Sequence, residues 1–380
     1  MNDPARKAHP GELAVAAVRA LSPYIPGKPI TELERELGIK DIIKLASNEN
    51  PYGPAPEALA AMHAALGEVE LYPDGSSHEL RLALARHVGF PAECLTLGNG
   101  SNDLLVLLAE SFLTAAHSAV YSQYGFAIYP LVIGATGARC IVTPALPPDA
   151  AMPYGHDLEA MARAVREDTR LVFIANPNNP TGTWEGAAAL RRCLERMPAH
   201  TLVALDEAYF EYGAGLGCPD GLQWIAEFPN LVVLRTFSKA HGLAGVRVGY
   251  AVSHPEVADV MNRLRPAFNV NSIAQAGAKA SLEHPGHSRR AVAATMAELP
   301  RLKRGLEALG LAVVPSAGNF LRVRVGPRAG AIYQRLLEGG VIVRPVAGYG
   351  LPEHLRITIG KPEHNERLLA LLARCLGDAR

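Results

Sequence analysis

The chain has few cysteines and no cysteine pair. Its 380 residues include only five, Cys94, Cys140, Cys193, Cys218 and Cys375, and none forms a CxxC pattern. An odd number of scattered cysteines argues against a disulfide framework and predicts reduced thiols in the cytoplasm. The 13 histidines show no ligand spacing, so we expect no metal site.

An excess of charge is also missing, as are long apolar runs. Lys and Arg total 37, and Asp and Glu total 37. This balance argues against a nucleic-acid-binding stripe and against an acidic disordered tail. No apolar run approaches the roughly 18 residues of a membrane span, and the opening MNDPARKAHPGELAV lacks the apolar core of a secretory signal. We therefore expect neither nucleic acid nor a membrane as a partner.

What is present is an alternation of short apolar runs with longer amphipathic stretches between about residues 50 and 265. Four of these runs cover residues 119–121, 171–174, 201–205 and 231–234. They are continuous rather than alternating, as expected of parallel strands buried on both faces. The pattern predicts an α/β domain with a mostly parallel mixed sheet between helices.

The two ends of the chain differ from this middle region. Prolines at 10, 23, 26 and 29 predict an arm without a long helix, and residues 31–38 predict a short helix ending at Gly38. Residues 272–376 predict a helical region broken near Pro285, then a smaller α+β domain with strands over 311–314, 319–325, 341–344 and 354–359 and helices over 331–337 and 363–376. We divide the chain into 1–48 (arm and part of the small domain), 49–268 (large domain) and 269–380 (small domain).

Three polar clusters each follow a buried apolar run. LVFIA precedes NPNNPTG (176–182), TLVAL precedes DEAY (206–209), and LVVLR precedes TFSK (236–239). Ligands of open α/β sheets bind outside the carboxyl ends of the strands. The clusters are therefore predicted to converge on one site. The alternative is three unrelated turns.

Lys239 is the centre of this predicted site. Ser238 precedes it and Arg247 follows eight positions later. A lysine can bind an aldehyde covalently, while the hydroxyl and the guanidinium fork suit a phosphate. Upstream, GNGSN (98–102) precedes an apolar helical run, and glycines there let backbone N–H groups approach an anion at a helix N-terminus.

These motifs resemble the aspartate-aminotransferase superfamily, the type I fold of pyridoxal phosphate enzymes, over nearly the whole chain. Within it, the stretches YIPGKP (24–29), ASNENPYG (46–53), LYPDG (71–75) and LRITIG (355–360) resemble the histidinol-phosphate aminotransferase family. The resemblance implies pyridoxal 5'-phosphate as cofactor and a homodimer with shared active sites.

The resemblance also implies roles for individual residues. Lys239 would form the Schiff base and act as the general base, and Asp206 would face the pyridine nitrogen. Tyr209 and Asn179 would bond the ring oxygen, and Phe126 would stack on the ring, with Tyr124 as the alternative. The phosphate would be held by Gly100, Ser101, Asn102, Thr236, Ser238, Arg247 and Tyr52 from the partner subunit.

Four more residues are implied in substrate binding: Tyr24, Asn48, Arg344 and Arg356. Guanidinium forks accept both phosphate and carboxylate. One anion site could then serve histidinol phosphate in one half-reaction and glutamate or 2-oxoglutarate in the other. For Arg344 the alternative is an exposed arginine at a strand edge.

The predicted activity is a transamination between histidinol phosphate and 2-oxoglutarate in histidine biosynthesis. Two alternatives share the scaffold, an aromatic amino-acid aminotransferase and a threonine-phosphate decarboxylase. A transcriptional regulator with an aminotransferase-like domain is disfavoured, because no helix-turn-helix pattern or basic bias precedes the large domain.

Overall fold

The computed structural model describes residues 9–377; residues 1–8 of the predicted arm and 378–380 of the predicted small domain lie outside them. The strands are β1 Ile43–Lys44, β2 Leu95–Gly98, β3 Ser118–Ser122, β4 Arg139–Thr143, β5 Thr169–Ala175, β6 Leu202–Asp206, β7 Leu231–Thr236, β8 Gly249–Ser253, β9 Ala312–Val313, β10 Phe320–Arg324, β11 Val341–Ile342, β12 Arg344–Pro345 and β13 His354–Thr358.

The helices lie between these strands. They are α1 Ala16–Arg19, α2 Ile30–Leu37, α3 Pro56–Ala65, α4 His78–Val88, α5 Ser101–Phe112, α6 Ile128–Ala135, α7 Leu158–Ala164, α8 Ala187–Glu195, α9 Phe210–Gly213, α10 Pro255–Leu264, α11 Ser272–Glu283, α12 Gly286–Ala308, α13 Ala329–Glu338 and α14 Pro362–Gly377. α2 ends where predicted, because Gly38 adopts the left-handed conformation (φ 66°) that favours glycine.

The large sheet has seven strands in the order β2-β8-β7-β6-β5-β3-β4. β4, β3, β5, β6 and β7 run parallel, while β8 is antiparallel to both β7 and β2. The predicted α/β class with a mostly parallel mixed sheet is confirmed.

Both faces of this sheet are covered by helices. Along β5, Leu171 and Phe173 pack into one core cluster, whereas Val172 and Ile174 pack into the cluster on the opposite face. A strand buried on both faces has no polar positions to alternate with, which explains the continuous apolar runs in the sequence.

The small domain has a four-stranded antiparallel sheet in the order β12-β13-β10-β9. Leu321 and Val323 of β10 point into a core shared with α12, α13 and α14. The single predicted strand over 341–344 is wrong. β11 pairs with β1 and β12 pairs with β13, so the chain passes between two sheets at Val343.

The pairing of β1 with β11 joins the segment before residue 48 to the small domain. α11 instead packs on α3 and α4, and Ala274 and Ala278 belong to a core cluster of the large sheet. The predicted division at residue 269 remains a prediction, and α11, which follows it, is packed against the large domain. Among residues 9–377, no helix is both long enough and apolar enough to cross a membrane.

Candidate active site

The three polar clusters meet at one edge of the large sheet. In the parallel register Ala175 of β5 is level with Asp206 of β6, and β7 alongside ends at Thr236. The chain therefore leaves all three strands on the same side of the sheet, as the sequence predicts.

A cavity of about 180 Å³ lies at this edge, between the large sheet and the small domain. Most of the predicted site residues line it, namely Tyr24, Asn48, Ser101, Asn102, Phe126, Asn179, Asp206, Tyr209, Thr236, Ser238, Lys239, Arg247, Arg344 and Arg356. Residues far apart in the chain thus line the same cavity, because the arm, the ends of the large-domain strands and the small domain all meet there.

Two predicted residues do not line the cavity. Gly100 lies just behind it, where its φ of 83° begins the turn into α5. Tyr52 lies near Lys361, whose Nζ is 6.0 Å from the centroid of the tyrosine ring. The prediction assigns Tyr52 to the partner subunit's site, and it remains a prediction.

Lys239 extends into the cavity and donates a 3.1 Å hydrogen bond to the carbonyl oxygen of Ser47. Burial and the positive charge of Arg356 lower the pKa of Lys239 to about 7. Both causes disfavour an ammonium group. A substantial fraction of this amine is therefore neutral near neutral pH, as a nucleophile or a base requires.

Asp206 is buried beneath the cavity. Its Oδ2 accepts a 3.0 Å hydrogen bond from the hydroxyl of Tyr129, and its Oδ1 accepts one of 3.2 Å from the backbone N–H of Ala208. Burial raises the pKa of Asp206, while these two donors act in the opposite direction. A buried carboxylate held this way can pair with a cationic ring nitrogen.

The sequence analysis did not identify Tyr129 as a site residue. Tyr129 is fully buried and stacks on Phe173, with ring centroids 4.9 Å apart. The sequence gives no way to separate such a tyrosine from an ordinary core aromatic. The one available signal is its position near the start of α6, a short turn after the end of β3.

The cradle for an anion is formed by the start of α5 and by Arg247. Arg247 donates a 3.0 Å hydrogen bond to the Ser238 hydroxyl and a 3.2 Å bond to the Asn99 carbonyl. Thr236 accepts from the Ser238 backbone N–H at 3.1 Å. A Cβ at Gly100 would overlap the Arg247 guanidinium, so only glycine allows this approach.

Two further contacts order the wall beside Lys239. Asn48 donates a 2.8 Å hydrogen bond to the hydroxyl of Tyr209, and Arg356 donates to the side-chain oxygen of Asn179. Burial raises the pKa of Tyr209 to about 12, against the nearby charge of Arg356. Tyr209 therefore keeps its proton and can donate it to an oxygen in the cavity.

The two candidates for stacking on the ring separate in the structure. Phe126 lines the cavity and meets Tyr129 edge-on, with centroids 6.0 Å apart. The ring of Tyr124 instead contacts Tyr154, at 5.7 Å. This geometry favours Phe126 over Tyr124.

Arg344 lies at the mouth of the cavity beneath the N-terminal arm. It donates a 2.6 Å hydrogen bond to the Ile25 carbonyl, and its guanidinium carbon lies 5.7 Å from the centroid of the Tyr24 ring. Arg344 is level with Arg356 on the neighbouring strand, so both side chains leave the same face of the small sheet. Arg344 lies on the edge strand of the small sheet, but it is half-buried and lines the cavity, which disfavours the alternative of an exposed strand-edge arginine.

Together these groups fit a pyridine aldehyde that carries a phosphate. The amine of Lys239 would bind the aldehyde, the Asp206 carboxylate would pair with the ring nitrogen, and Ser238 and Arg247 would supply phosphate donors. The Gly100 turn leaves room for this cradle. The residues present therefore suit pyridoxal phosphate.

Comparison with known proteins agrees with this site. Residues 40–372 match the model of the family "Aminotransferase class I and II". The chain belongs to this family, and the superfamily and fold predicted from the sequence are confirmed.

Individual proteins similar to this chain belong to one narrower group within that family. The chain is 50% identical to histidinol-phosphate aminotransferase 1 of Nitrosococcus oceani, over 97% of this chain and 98% of that protein. It is 52% identical to histidinol-phosphate aminotransferase 2 of Pseudomonas fluorescens, over the same two shares. A crystal structure of the Sinorhizobium meliloti histidinol-phosphate aminotransferase in complex with pyridoxal-5'-phosphate matches with a TM-score of 0.88 and 31% identity, covering 97% of this chain and 98% of that chain.

Proposed function

We propose that this chain is a pyridoxal-phosphate-dependent aminotransferase that transfers an amino group between histidinol phosphate and 2-oxoglutarate, in histidine biosynthesis. The observation that carries the proposal is the cavity in which Lys239 and Asp206 face the arginine pair Arg344 and Arg356. The near-full-length relatives at about half identity support the same substrates.

The bound cofactor supplies an electron sink for the pair left when the substrate loses a proton from Cα. Lys239 would hold the cofactor covalently and, once released by the substrate amine, would take the Cα proton at Nζ. Asp206 would keep the ring nitrogen protonated, and Tyr129 favours the ionised form of Asp206 by donating to it. Tyr209 and Asn179 would donate to the ring oxygen, and Phe126 would cover the ring face.

The cradle formed by the start of α5 and by Arg247 would hold the phosphate of the cofactor. Ser101 and Asn102 contribute backbone N–H groups at the helix N-terminus. Ser238, Thr236 and Arg247 add side-chain donors.

The substrate's own anion lies with the arginine pair. Arg356 is buried and already oriented by Asn179 and by the carbonyl of Ala46, to which it donates at 2.6 Å. Its Nε is buried and has no hydrogen-bond partner among residues 9–377. Tyr24 and Arg344 close the outer side, and Asn48 orders the wall through Tyr209.

We also propose a homodimer with shared active sites. Several large apolar side chains are exposed, including Leu59, Val69, Leu71, Tyr72 and Phe268. Tyr72 and Phe268 stack on each other at 4.8 Å although both are exposed, which suits a covered interface. Tyr52 would reach the partner's phosphate. Co-expression of Tyr52→Phe and Lys239→Ala chains tests this, since hybrid dimers regain one intact site; no recovery would contradict sharing.

The cytoplasm is the proposed compartment, because Cys94, Cys140, Cys193 and Cys218 are thiols rather than disulfides.

The proposed domain division keeps the segment before residue 48 with the small domain, as the β1–β11 pairing supports.

The proposed activity is tested by offering the purified protein histidinol phosphate, phenylalanine and threonine phosphate in parallel. We expect transamination of histidinol phosphate with 2-oxoglutarate to have the highest kcat/KM, and Lys239→Ala to abolish it. Preference for phenylalanine, or release of carbon dioxide without a 2-oxoacid, would instead identify the aromatic aminotransferase or the decarboxylase.

A further inference from the structure

A third arginine extends the row that Arg344 and Arg356 begin. In the small sheet Arg344 is level with Arg356, and Arg356 is level with Arg322 on β10. Residues directly opposite in neighbouring antiparallel strands project from the same face. The flanking residues Leu321 and Val323 point into the core on the other face, so Arg322 projects toward the large domain and the active-site side.

Arg322 is buried without an ionic partner. Its relative exposure is 0%, and none of its three guanidinium nitrogens has a hydrogen-bond partner among residues 9–377. An uncompensated buried charge costs stability, so its presence calls for an explanation. Burial lowers the pKa of Arg322 to about 10, which leaves the guanidinium charged at neutral pH.

Aromatic rings, rather than carboxylates, surround this charge. The guanidinium carbon lies 3.8 Å from the centroid of the Tyr154 ring, a cation–π contact. The same ring meets Tyr124 and His354 edge-on, each at 5.7 Å. Burial and then the charge of Arg322 lower the pKa of His354 to about 4, so this imidazole is neutral and does not add a second cation.

The positive field of Arg322 is therefore not neutralised by a nearby carboxylate. On the cavity side of Tyr124, Asn178 donates a 2.9 Å hydrogen bond to the Tyr124 carbonyl, and the next residue, Asn179, lines the cavity and accepts from Arg356. Arg322 does not line the cavity, so its effect on an anion there is electrostatic and not a contact.

We propose that Arg322 is a specificity-determining residue of the substrate anion site, whose fixed charge one strand beyond Arg356 favours a phosphate dianion over a carboxylate monoanion. The inference rests on the proposed function for the position of the anion. In a low-dielectric site a unit charge interacts twice as strongly with a dianion as with a monoanion at the same place. Arg322 therefore biases the shared site toward the phosphate ester, while Arg356 and Arg344 serve both substrates.

The test uses the cofactor-loaded protein and the variants Arg322→Met, Arg322→Lys and Arg324→Met. Met keeps a flexible, unbranched side chain that is shorter than arginine and removes its charge, and Lys keeps the charge without the planar fork. Arg324 is the matched control, because it lies on the same strand and face but is exposed and paired with Glu353 at 2.7 Å.

The readouts are the inhibition constants of inorganic phosphate and of acetate near pH 8, together with thermal unfolding. In Arg322→Met we expect the inhibition constant of phosphate to rise about 10-fold and that of acetate about threefold. Loss of one positive charge costs a dianion twice the free energy that it costs a monoanion, so the fold-change for acetate is the square root of that for phosphate. Arg322→Lys and Arg324→Met should remain close to the parent. Arg322→Met should unfold at the same temperature or higher, because it removes an unpaired buried charge.

Equal effects on both anions, no effect on either, or a Lys variant as impaired as Met would overturn the proposal. A lower unfolding temperature in Arg322→Met with equal losses would identify a packing residue. Failure of the proposed function is distinguishable: the parent would then not transaminate histidinol phosphate, yet the phosphate and acetate constants would still report whether Arg322 selects the dianion.

Discussion

The hydroxyl of Tyr129 donates a 3.0 Å hydrogen bond to Oδ2 of Asp206 in the interior of the large domain. Burial raises the pKa of Asp206, and this bond acts against that effect. The carboxylate beneath the cavity thus depends on a residue outside the cavity lining. Because a neutral Asp206 can no longer stabilise a cationic ring nitrogen, the pair is a sensitive point of the site.

Tyr129→Phe should raise the pKa of Asp206 further and lower kcat by about 10-fold or more, given the roughly 1.5–3 kcal/mol of a hydrogen bond to a charged group. The acidic limb of the pH–rate profile should move to higher pH, because an acid with a raised pKa is less ionised at a given pH. Tyr121→Phe is the control, since that ring meets Tyr129 edge-on at 6.3 Å. An unchanged acidic limb would show that Tyr129 has only a packing role.

Gly100→Ala should weaken cofactor binding by about 10-fold or more, because the new methyl group would displace Arg247 and strain a backbone with φ of 83°. The dissociation constant is measured by titrating cofactor-free protein with pyridoxal phosphate. Gly245→Ala, in the turn just before Arg247 with open space around it, is the matched control. Equal affinity of the two variants would remove Gly100 from the cradle.

Cofactor uptake should depend on pH through Lys239. Its pKa of about 7 means that the amine is mostly neutral above that pH. The rate at which cofactor-free protein binds pyridoxal phosphate covalently should therefore rise through about pH 7 and level off. Arg356→Gln removes a positive charge and should move this rise to higher pH.

The same shift in pKa affects the stability of the cofactor-free protein. Between about pH 7 and the ordinary value of 10.5, the unfolded chain binds a proton at Lys239 that the folded chain lacks. The contribution of Lys239 to the free energy of unfolding therefore rises with pH in this window. If the rate of covalent cofactor uptake instead had its inflection near pH 10.5, the lowered pKa of Lys239 would be contradicted.

Arg356→Gln should raise the KM of both histidinol phosphate and 2-oxoglutarate, by about 10- to 100-fold, since each anion loses a charge-assisted pair. Steady-state kinetics with each substrate varied in turn measures this effect. The exposed Arg324 supplies the control Arg324→Gln, which should change neither value. A change in one KM alone would mean that the two anions use different sites.

We predict that Asn48 stabilises the folded protein. It bonds Tyr209 and Thr358, accepts the side chain of Asn319 at its carbonyl, and has φ of 56°. Asn48→Ala should cost about 2–4 kcal/mol of unfolding free energy in urea. Asn48→Gly should be about 1 kcal/mol more stable than the alanine variant, because glycine adopts this backbone without strain. Equal stabilities would show that the backbone conformation carries no cost.

Much of this protein could be predicted from its sequence, because the relevant patterns are local. The apolar runs before Asn176, Asp206 and Thr236 mark buried parallel strands, and chain direction alone places the residues that follow them at one sheet edge. The continuity of those runs also predicts a sheet covered on both faces. Gly38 ends its helix for the same kind of local reason.

Elsewhere the sequence pattern misleads or is silent. The pattern of residues 341–344 predicts one strand, and only the pairing with two different strands, β1 and β13, divides it. Arg322 has no local signal either, and Tyr129 has only its position near the start of α6. The role of Tyr129 depends on Asp206, which is 77 residues away in the chain. The role of Arg322 depends on Arg356, which lies on a neighbouring strand.

The sequence by itself therefore determined the strand–helix order, the position of each polar cluster at a strand end, and Lys239 as the reactive amine. The tertiary structure alone decided which groups surround them. Arg356 lowers the pKa of Lys239, Tyr129 supports the Asp206 carboxylate, and Arg322 stays buried without a counterion. Burial and charge proximity are properties of packing across the chain, and no stretch of sequence contains them.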